Sequence, residues 1–232
     1  MTENQTLKLY LLQQNAGDLA KAKEAYEFIM GGDTVETDNA RHCADDAPAS
    51  AKDGVYLRYK DGHEEWFDGT NNQFDVVGIT VRFGERRTCI AKYDVECPDE
   101  GDTEFPLLVS SDNDTEDDRK AFIEKYYDAY NDLDGKAHTE SLIRRGCKIP
   151  LASNQYIPAT GEWLIVLMFL KKVQEALDYS CGDMLKDDWY WSSTEFSSNG
   201  AWSVNVSYGG ISWNNGKTYT YRVRPCLSCV AI

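Results

Sequence analysis

The sequence is poor in basic residues and has no long apolar run. Lys and Arg number 24 against 39 Asp and Glu, which gives a net charge of −15 over 232 residues. A chain this acidic is repelled by phosphate backbones and anionic lipids, so we expect no nucleic-acid partner. No apolar run approaches the roughly 20 residues that cross a bilayer, so membrane insertion is not expected either. Residues 1–5 lack the pattern of a Sec signal peptide, which argues against secretion by that route.

Recognisable catalytic and cofactor motifs are also missing. The sequence has no nucleophile elbow, phosphate loop, dinucleotide fingerprint or paired-histidine zinc motif, and its three histidines lie far apart. The seven cysteines are odd in number and irregularly spaced, so we expect free thiols. Cys226 and Cys229 form a lone CxxC, which a strand would point to opposite faces, so incidental thiols explain it better than redox or zinc chemistry. We therefore predict no enzyme activity, no metal and no cofactor.

The N-terminal part, residues 1–53, differs from the rest of the chain and predicts a helical appendage. In residues 18–30, Asp18 can cap the first turn, and apolar side chains fall on one helical face. Two interpretations stay open for this helix: it packs on its own domain, or it attaches or oligomerises the protein. Residues 33–53 are polar and rich in Asp, Ala and Thr, which predicts a linker or an extended arm.

From residue 54 onward the pattern predicts short strands followed by helices. Runs of β-branched residues bounded by turn residues predict strands at 55–59, 75–83 and 87–95. The last two can pair as a hairpin across Gly84-Glu85. Apolar spacing and capping residues predict three helices, which start at Thr115, Thr139 and Thr160 and end near Asn131, Pro150 and Leu177.

The C-terminal stretch alternates apolar with small polar side chains. Such alternation predicts a strand whose apolar side chains are buried, namely Trp202, Val204 and Val206. The side chains between and after them are expected to be exposed, namely Ser203, Asn205 and Ser207. Turns are predicted at residues 209–210 and 214–216, and a further strand at residues 219–223.

Residues 191–232 also differ from the rest of the chain in charge and composition. They contain one acid and three bases, a net of +2, whereas the other residues carry a net charge of −17. They are rich in Ser, Asn, Gly, Tyr and Trp, which are residue types that dominate antibody binding sites. A turn-rich sheet with a merely polar solvent face explains the same composition, because turns alone favour Gly, Ser and Asn.

Six short segments in a fixed order resemble C-type-lectin-like domains of bacterial and phage proteins. The C-terminal signature consists of Trp189-Tyr-Trp-Ser-Ser-Thr-Glu195, Ala201-Trp202 and Tyr221-Arg-Val-Arg-Pro225. The upstream segments are Val76-Val-Gly-Ile-Thr-Val81, Asp134-Gly-Lys-Ala-His-Thr139 and Ile157-Pro-Ala-Thr-Gly-Glu-Trp163. The resemblance covers residues 54–232 and implies an α+β, C-type-lectin-like fold. Two helices would pack on a twisted antiparallel sheet, preceded by the N-terminal helical appendage of residues 1–53.

Many members of this family are variable proteins of diversity-generating retroelements, in which adenines of a C-terminal repeat are randomised. Asn codons are the usual targets, and they cannot yield Trp, Lys, Glu, Gln or Met while the third base stays a pyrimidine. The resemblance thus implies a variable region at about 190–225, in which Glu195, Trp202, Trp213 and Lys217 are scaffold. The variable, ligand-binding positions would be Ser198, Gly200, Ser203, Asn205, Ser207, Tyr208, Gly210, Ser212, Asn214, Asn215, Tyr219 and Tyr221. The scaffold positions of the domain would be Trp191, Trp202, Val204, Val206 and Arg224.

The resemblance implies a non-enzymatic protein that binds a protein or glycan receptor on a host or target cell. Without a signal peptide, a phage tail protein, found in the virion and before assembly in the bacterial cytoplasm, is favoured over a secreted adhesin. Calcium-dependent sugar binding is not implied, because Trp213-Asn214-Asn215 only partly matches the lectin calcium motif. One alternative is an oxidase or a glycosidase-like enzyme on the same fold, with Asp187, Asp188 and Glu195 as candidate carboxylates. The other is a structural subunit of a virion or cell surface.

Overall fold

The computed structural model describes residues 52–97 and 101–228. The helix predicted at residues 18–30 and all but the end of the arm at residues 33–53 lie outside the described residues. The strands are β1 (Gly54–Tyr59), β2 (Glu64–Trp66), β3 (Val76–Phe83), β4 (Arg86–Ala91), β5 (Glu104–Pro106), β6 (Gln155–Tyr156), β7 (Trp189–Glu195), β8 (Gly200–Asn205), β9 (Gly210–Gly216), β10 (Thr220–Arg222) and β11 (Cys226–Leu227). The helices are α1 (Glu116–Lys120), α2 (Tyr126–Asn131), α3 (Gly135–Arg144), α4 (Thr160–Met168) and α5 (Leu170–Tyr179). Each helix in these ranges is too short or too polar to cross a bilayer.

The first sheet has six strands in the order β2-β1-β3-β4-β11-β6, and all its neighbours are antiparallel. The predicted hairpin is confirmed, because β3 and β4 pair from Gly78 opposite Ala91 to Phe83 opposite Arg86. The turn between them contains Gly84 at a φ of 58°, a conformation that costs little only without a Cβ. β-branched residues are frequent in β3, and a local pattern was therefore sufficient to place it.

The second sheet has five strands in the order β5-β10-β7-β8-β9 and is antiparallel except for the β10–β7 pair. The strands predicted in the C-terminal stretch are confirmed as β8 and β10. The fold is therefore mixed α+β with largely antiparallel sheets, as predicted.

One predicted turn in the second sheet is wrong. Asn215 and Gly216 do not form a turn, because they pair with Ala201 and Gly200 at the end of β9. The chain turns afterwards, at residues 217–218. Pairing with the neighbouring strand outweighs the turn preference of Asn and Gly here.

The helix predicted at residues 115–131 is wrong as a single element, because it is divided into α1 and α2. Thr115 caps α1 as predicted, in a capping box. Between the two helices, Ile123 N donates to Glu195 O and Ile123 O accepts from Trp202 Nε1, both at 2.9 Å. These bonds to β7 and β8 take the place of helical hydrogen bonds, so the interruption has a tertiary cause.

The other two helix predictions need smaller corrections. α3 begins four residues before Thr139, whose hydroxyl donates to the carbonyl of the first helical residue at 2.7 Å. Thr160 is the first residue of α4 rather than its cap, which is Ala159, and its hydroxyl instead bonds Ser192 Oγ at 2.9 Å. The predicted helix is also divided at Phe169, where α4 ends and α5 begins.

α4 contacts both sheets and is buried on nearly every side, which is typical of a central helix. Trp163 and Val166 of its predicted stripe are fully buried. The main core joins this helix to the inner faces of both sheets. A second apolar cluster surrounds Trp191 and fills the space between β7, α3 and the segment after β5. The second sheet therefore packs against apolar clusters on both of its faces.

Candidate functional site

The strand register assigns the side chains of the second sheet to two faces. Cross-strand partners share a face, so Trp202, Val204 and Ile211 lie on the face that packs against α4. The opposite face carries Trp189, Ser203, Asn205, Ser212 and Asn215. Tyr208 and Tyr221 belong to this face too, because both rings contact Trp189. We call these seven residues the display face.

Three aromatic rings of the display face contact one another and are at least partly accessible. The Trp189 ring meets Tyr208 edge-on at a centroid distance of 6.0 Å and stacks with Tyr221, also at 6.0 Å. Tyr221 continues to Trp191 at 4.6 Å, which links the surface to the second apolar cluster. Tyr208 is 62% exposed, and Tyr219, at the nearby turn, is 60% exposed. The sequence analysis did not assign Trp189 to the site, although its position two residues before Trp191 in β7 places both indoles on one face of the strand.

Small polar side chains next to these rings are linked by hydrogen bonds. Tyr221 Oη donates to Asn215 Oδ1 at 3.3 Å, and Asn215 Nδ2 donates to Ser203 Oγ at 2.8 Å. Ser207 bonds Asn205 Oδ1 through both its backbone N–H, at 3.0 Å, and its hydroxyl, at 2.5 Å. Desolvation raises the pKa of Tyr221, so its phenol remains a neutral donor around neutral pH. The face therefore offers hydroxyl and amide groups with no formal charge.

The predicted exposure of Ser203 and Asn205 is wrong, because both are buried, whereas Ser207 is exposed as predicted. The cause is the aromatic layer above them. A Cβ added at Gly210, which pairs with Asn205, would lie 2.1 Å from the Tyr208 ring. That ring therefore lies directly over the backbone at this point. Alternation in β8 identified the two faces correctly but did not reveal that rings from neighbouring segments cover the polar one.

The other predicted variable positions differ in accessibility. Gly200 and Gly210 are buried, whereas Ser198, Ser212, Asn215 and Tyr221 are partly accessible. Asn214 lies in β9, and its side chain is not among those described. The structure thus groups part of the predicted set on one surface and places the remainder under it or at the turns beside it.

A second aromatic group lies at the β9 edge of the sheet. Trp213 packs on Phe196 at 4.9 Å and remains 45% exposed, although the sequence analysis took it as scaffold. Phe196 also contacts Trp202, at 6.2 Å, and Tyr126 meets Trp202 edge-on at 4.9 Å. Desolvation is the main cause that raises the pKa of Tyr126. Tyr126 belongs to α2, so no pattern local to the C-terminal stretch could have identified it.

A buried ionic network supports the turns beside the display face. The Glu195 carboxylate, at the end of β7, binds both Arg145 and Lys217. Arg145 also contacts Asp114 at 2.8 Å, and Lys217 donates to Ser198 O at 3.0 Å. Burial lowers the pKa of Lys217, and the Glu195 carboxylate opposes that shift. Asp118 lies 3.8 Å from Arg145 and also binds Arg144, so three acids and three bases balance and the network carries no net charge.

The five predicted scaffold residues are all buried, and the polar ones are fully bonded. Trp191 Nε1 donates to Phe105 O at 2.7 Å. Arg224 binds Asp94 at 2.6 Å and donates to the carbonyls of Ala91, Lys92 and Asp183. Buried polar groups that are satisfied in this way fix one arrangement of the surrounding chain. The complete set is Trp191, Trp202, Val204, Val206 and Arg224.

The remaining candidates for chemistry lie elsewhere. Cys226 is buried against the Thr88 hydroxyl, and desolvation raises its thiol pKa well above the ordinary value, which makes it unreactive. Its CxxC partner, Cys229, lies outside the described residues.

Within the described residues, groups of His, Cys, Asp and Glu that could hold a metal are not found. An open cavity of about 530 Å³ lies over β4, β6 and β11, and its described lining includes no predicted site residue.

Comparisons with known proteins give little further information. No family model matches the chain, and no curated protein matches it. A solved structure of a fimbrial protein from Bacteroides ovatus ATCC 8483 is similar at 16% identity and a TM-score of 0.44. The match covers 77% of this chain and 49% of that one, so this chain spans about half the length of the fimbrial protein. Similarity at this level supports no argument about a shared fold or function.

Proposed function

We propose that the protein is a non-enzymatic binding protein that presents the display face to a protein or glycan receptor on a host or target cell. The observation that carries this proposal is the ring cluster above small polar residues, in which Tyr208 is exposed and Trp189 and Tyr221 are partly accessible. Tyr and Trp supply contact area at little entropic cost, and hydroxyl and amide groups beside them adapt to different partners.

The rigidity of the surrounding structure supports this proposal. Binding costs less when the contacting groups are already held in place. The sheet packs on α4 from one side and on the cluster around Trp191 from the other. Glu195 and its partners fix the adjoining turns. A C-type-lectin-like scaffold, which we propose for this domain, would serve the same purpose of holding variable side chains on a constant framework.

Charge distribution also favours this surface over the others. The only acid in residues 191–232 is Glu195, which is buried in its ionic network. The rest of the chain carries a net charge of −17. Most of the protein would therefore be repelled by an anionic cell surface, whereas the display face would not.

We further propose that retroelement diversification alters this surface, in a phage tail protein or surface adhesin. Ser207, Tyr208, Ser212, Asn215 and Tyr219 are compatible with mutated Asn codons, and all five side chains are at least partly accessible. Changes at these positions would alter the contact surface and leave the core intact. The neighbouring DNA tests this directly: it should encode a reverse transcriptase and a near-repeat of codons 190–225 that differs only at adenines. A neighbourhood without either would contradict diversification but not receptor binding.

Receptor binding is tested by comparing surface and core variants of the same residue class. Tyr208→Ala and Tyr219→Ala should change the free energy of unfolding by no more than about 0.5 kcal/mol. At least one of them should weaken binding to whole host cells about fivefold or more. Tyr93→Ala is the matched control, because Tyr93 is also an exposed tyrosine but lies just after β4 and does not belong to the display face.

Trp202→Ala is the structural control for the same experiment. It removes a fully buried indole and should cost about 3–5 kcal/mol of stability. If the tyrosine variants unfold as readily as this variant, their rings belong to the core and the display face is misassigned. If they fold and bind cells as well as the Tyr93→Ala control, the composition of the face reflects turn chemistry only, and a structural subunit becomes the better explanation.

A further inference from the structure

The first sheet has an outer face that differs in character from its inner one. α4 and α5 contact β1, β3 and β4, and the apolar side chains of Leu57, Ile79 and Ile90 point toward them in the main core. Because side chains alternate along a strand, the residues between these point to the other side. We call that side the arginine face, which consists of Tyr56, Arg58, Glu64, Trp66, Thr80, Arg82, Arg87 and Cys89.

Three guanidinium groups converge on one carboxylate at this face. Glu64 binds Arg82 and Arg87 at 2.6 Å each and Arg58 at 3.4 Å. These four side chains carry a net charge of +2, in a protein whose overall charge is −15. A cationic cluster of this kind is a suitable docking site for a segment with an excess of acids.

The charged side chains of the arginine face are more buried than an open sheet surface would make them. Their exposed fractions are 14% for Arg58, 11% for Arg82 and 6% for Glu64. Arg82 Nε is buried and has no hydrogen-bond partner within the described ranges. Arginines of a solvated sheet face normally remain accessible. α4 and α5 pack on the other side, and Trp66 covers part of this one, because its ring lies over Gly54 and meets Tyr56 edge-on at 5.4 Å. The low exposure of the arginines calls for a further cover beside Trp66.

The positions of the two residues before β1 indicate which segment covers the arginine face. Tyr56 Oη, on the arginine face, donates to Lys52 O at 2.7 Å. Asp53 Oδ1 accepts from Gly84 N at 2.7 Å, which fixes the next residue beside the β3–β4 turn. Lys52 is the first residue that the structure describes, so the described part of the chain begins beside the arginine face.

We propose that residues 33–51 of the same chain, the acidic arm, dock on the arginine face. The arm contains Asp33, Glu36, Asp38, Asp45 and Asp46 against Arg41 alone, a net charge of −4. Its 19 residues can extend to about 60 Å. Crossing from β2 to β4 takes only about 15 Å. Charge, length and the position of Lys52 therefore all fit this segment.

This docking gives the polar N-terminal stretch a structural role in place of that of a free linker. It does not depend on the proposed receptor binding, because the arginine face belongs to the other sheet. Two other occupants remain as outcomes of an experiment: the same arm of a second copy, exchanged between molecules, or a segment of the chain other than the arm.

The thiol of Cys89 provides the measurement, because it lies on the arginine face and is only 4% exposed. The full-length protein is compared with a variant in which the five acids of the arm are replaced by amides (Asp33→Asn, Glu36→Gln, Asp38→Asn, Asp45→Asn and Asp46→Asn). The matched control neutralises five exposed acids elsewhere (Asp112→Asn, Glu124→Gln, Asp128→Asn, Glu140→Gln and Asp187→Asn). The rate of Cys89 alkylation by iodoacetamide is followed by mass spectrometry, and the molar mass by light scattering.

We expect the arm variant to alkylate at Cys89 at least about tenfold faster than the unmodified protein, with the control variant within about twofold of it. The molar mass should be the same for all three. An unchanged rate in the arm variant would show that acidic residues of the arm do not hold the cover in place, which overturns the proposal. A faster rate accompanied by a halved molar mass would show exchange between two copies and would overturn docking within one chain.

Discussion

Replacing Glu162 with glutamine is expected to remove most of the loss of stability that we predict between pH 5 and pH 8. Glu162 lies in the first turn of α4, and its side chain is buried. Its carboxyl group accepts from Ala159 N at 2.7 Å and from Tyr156 Oη at 2.8 Å. Glutamine has the same shape and retains an acceptor oxygen, but it cannot ionise.

The size of this loss of stability follows from the pKa of Glu162. Burial raises the pKa of Glu162 from 4.5 to about 8. Between those values the folded state keeps a proton that the unfolded state has released, so the free energy of unfolding falls by about 1.4 kcal/mol per pH unit as the pH rises. The stabilisation is complete below about pH 4.5 and is lost as the pH passes about 8. From pH 5 to pH 8 the contribution is on the order of 4 kcal/mol.

Nearby groups contribute to the same pH range and must be separated from Glu162. Burial lowers the pKa of His138, but the hydrogen bond and charge of Asp132 raise it overall. A raised histidine pKa likewise gives stability that disappears as the pH rises through it. The His138–Asp132 pair is present in both proteins, so the difference between wild type and Glu162→Gln isolates the glutamate.

The assay is urea unfolding at half-unit steps from pH 5 to pH 8.5, with the free energy of unfolding plotted for both proteins. The wild-type curve should fall more steeply, and the variant should be the more stable protein at pH 8. Parallel curves would show that Glu162 is ionised throughout the range. In that case the two hydrogen bonds that it accepts outweigh its desolvation, and the reasoning above is wrong.

Two further predictions concern the second sheet. Glu195→Gln should cost about 3–5 kcal/mol in urea unfolding, because it leaves Arg145 and Lys217 as buried cations with Asp114 as the nearest acid. The exposed control Glu85→Gln should cost no more than about 0.5 kcal/mol, and equal effects would contradict the network. Gly210→Ala should displace the exposed Tyr208 ring, which its Cβ would approach to 2.1 Å, and weaken receptor binding while costing about 1 kcal/mol or less. Gly216→Ala, whose Cβ would meet Tyr219 at 3.6 Å, is the control and should bind normally.

The first sheet could be predicted from the sequence because its signals are local. β3 and β4 are joined by a short turn that contains Gly84, and their pairing needs no information from distant residues. Thr115 could be assigned as a cap for the same reason, since the capping box spans only four residues. Hydropathy, turn residues and caps act within a few positions of the elements that they define.

The predictions from the sequence are wrong where contacts between distant segments determine the local structure. The gap between α1 and α2 depends on bonds from Ile123 to β7 and β8, which follow some 70 residues later. Asn215 and Gly216 are residue types that favour turns, and only their pairing with β8 shows that they belong to a strand. Trp189 and Tyr126 become part of an accessible aromatic surface only through residues that are remote in sequence. Periodicity assigns a side chain to a face but does not identify what lies above that face.

The burial of Ser203 and Asn205 limits how far the proposed diversification can reach. A large side chain at either position would have to displace a ring of the display face or break the hydrogen bonds that join Ser203 to Asn215 and Asn205 to Ser207. Overpacking of this kind typically costs 1–3 kcal/mol. Exposed positions such as Tyr208 and Tyr219 have no such restriction. Functional variants should therefore keep small residues at 203 and 205 and vary freely at the exposed positions, so the number of useful surfaces is smaller than the codon pattern alone allows.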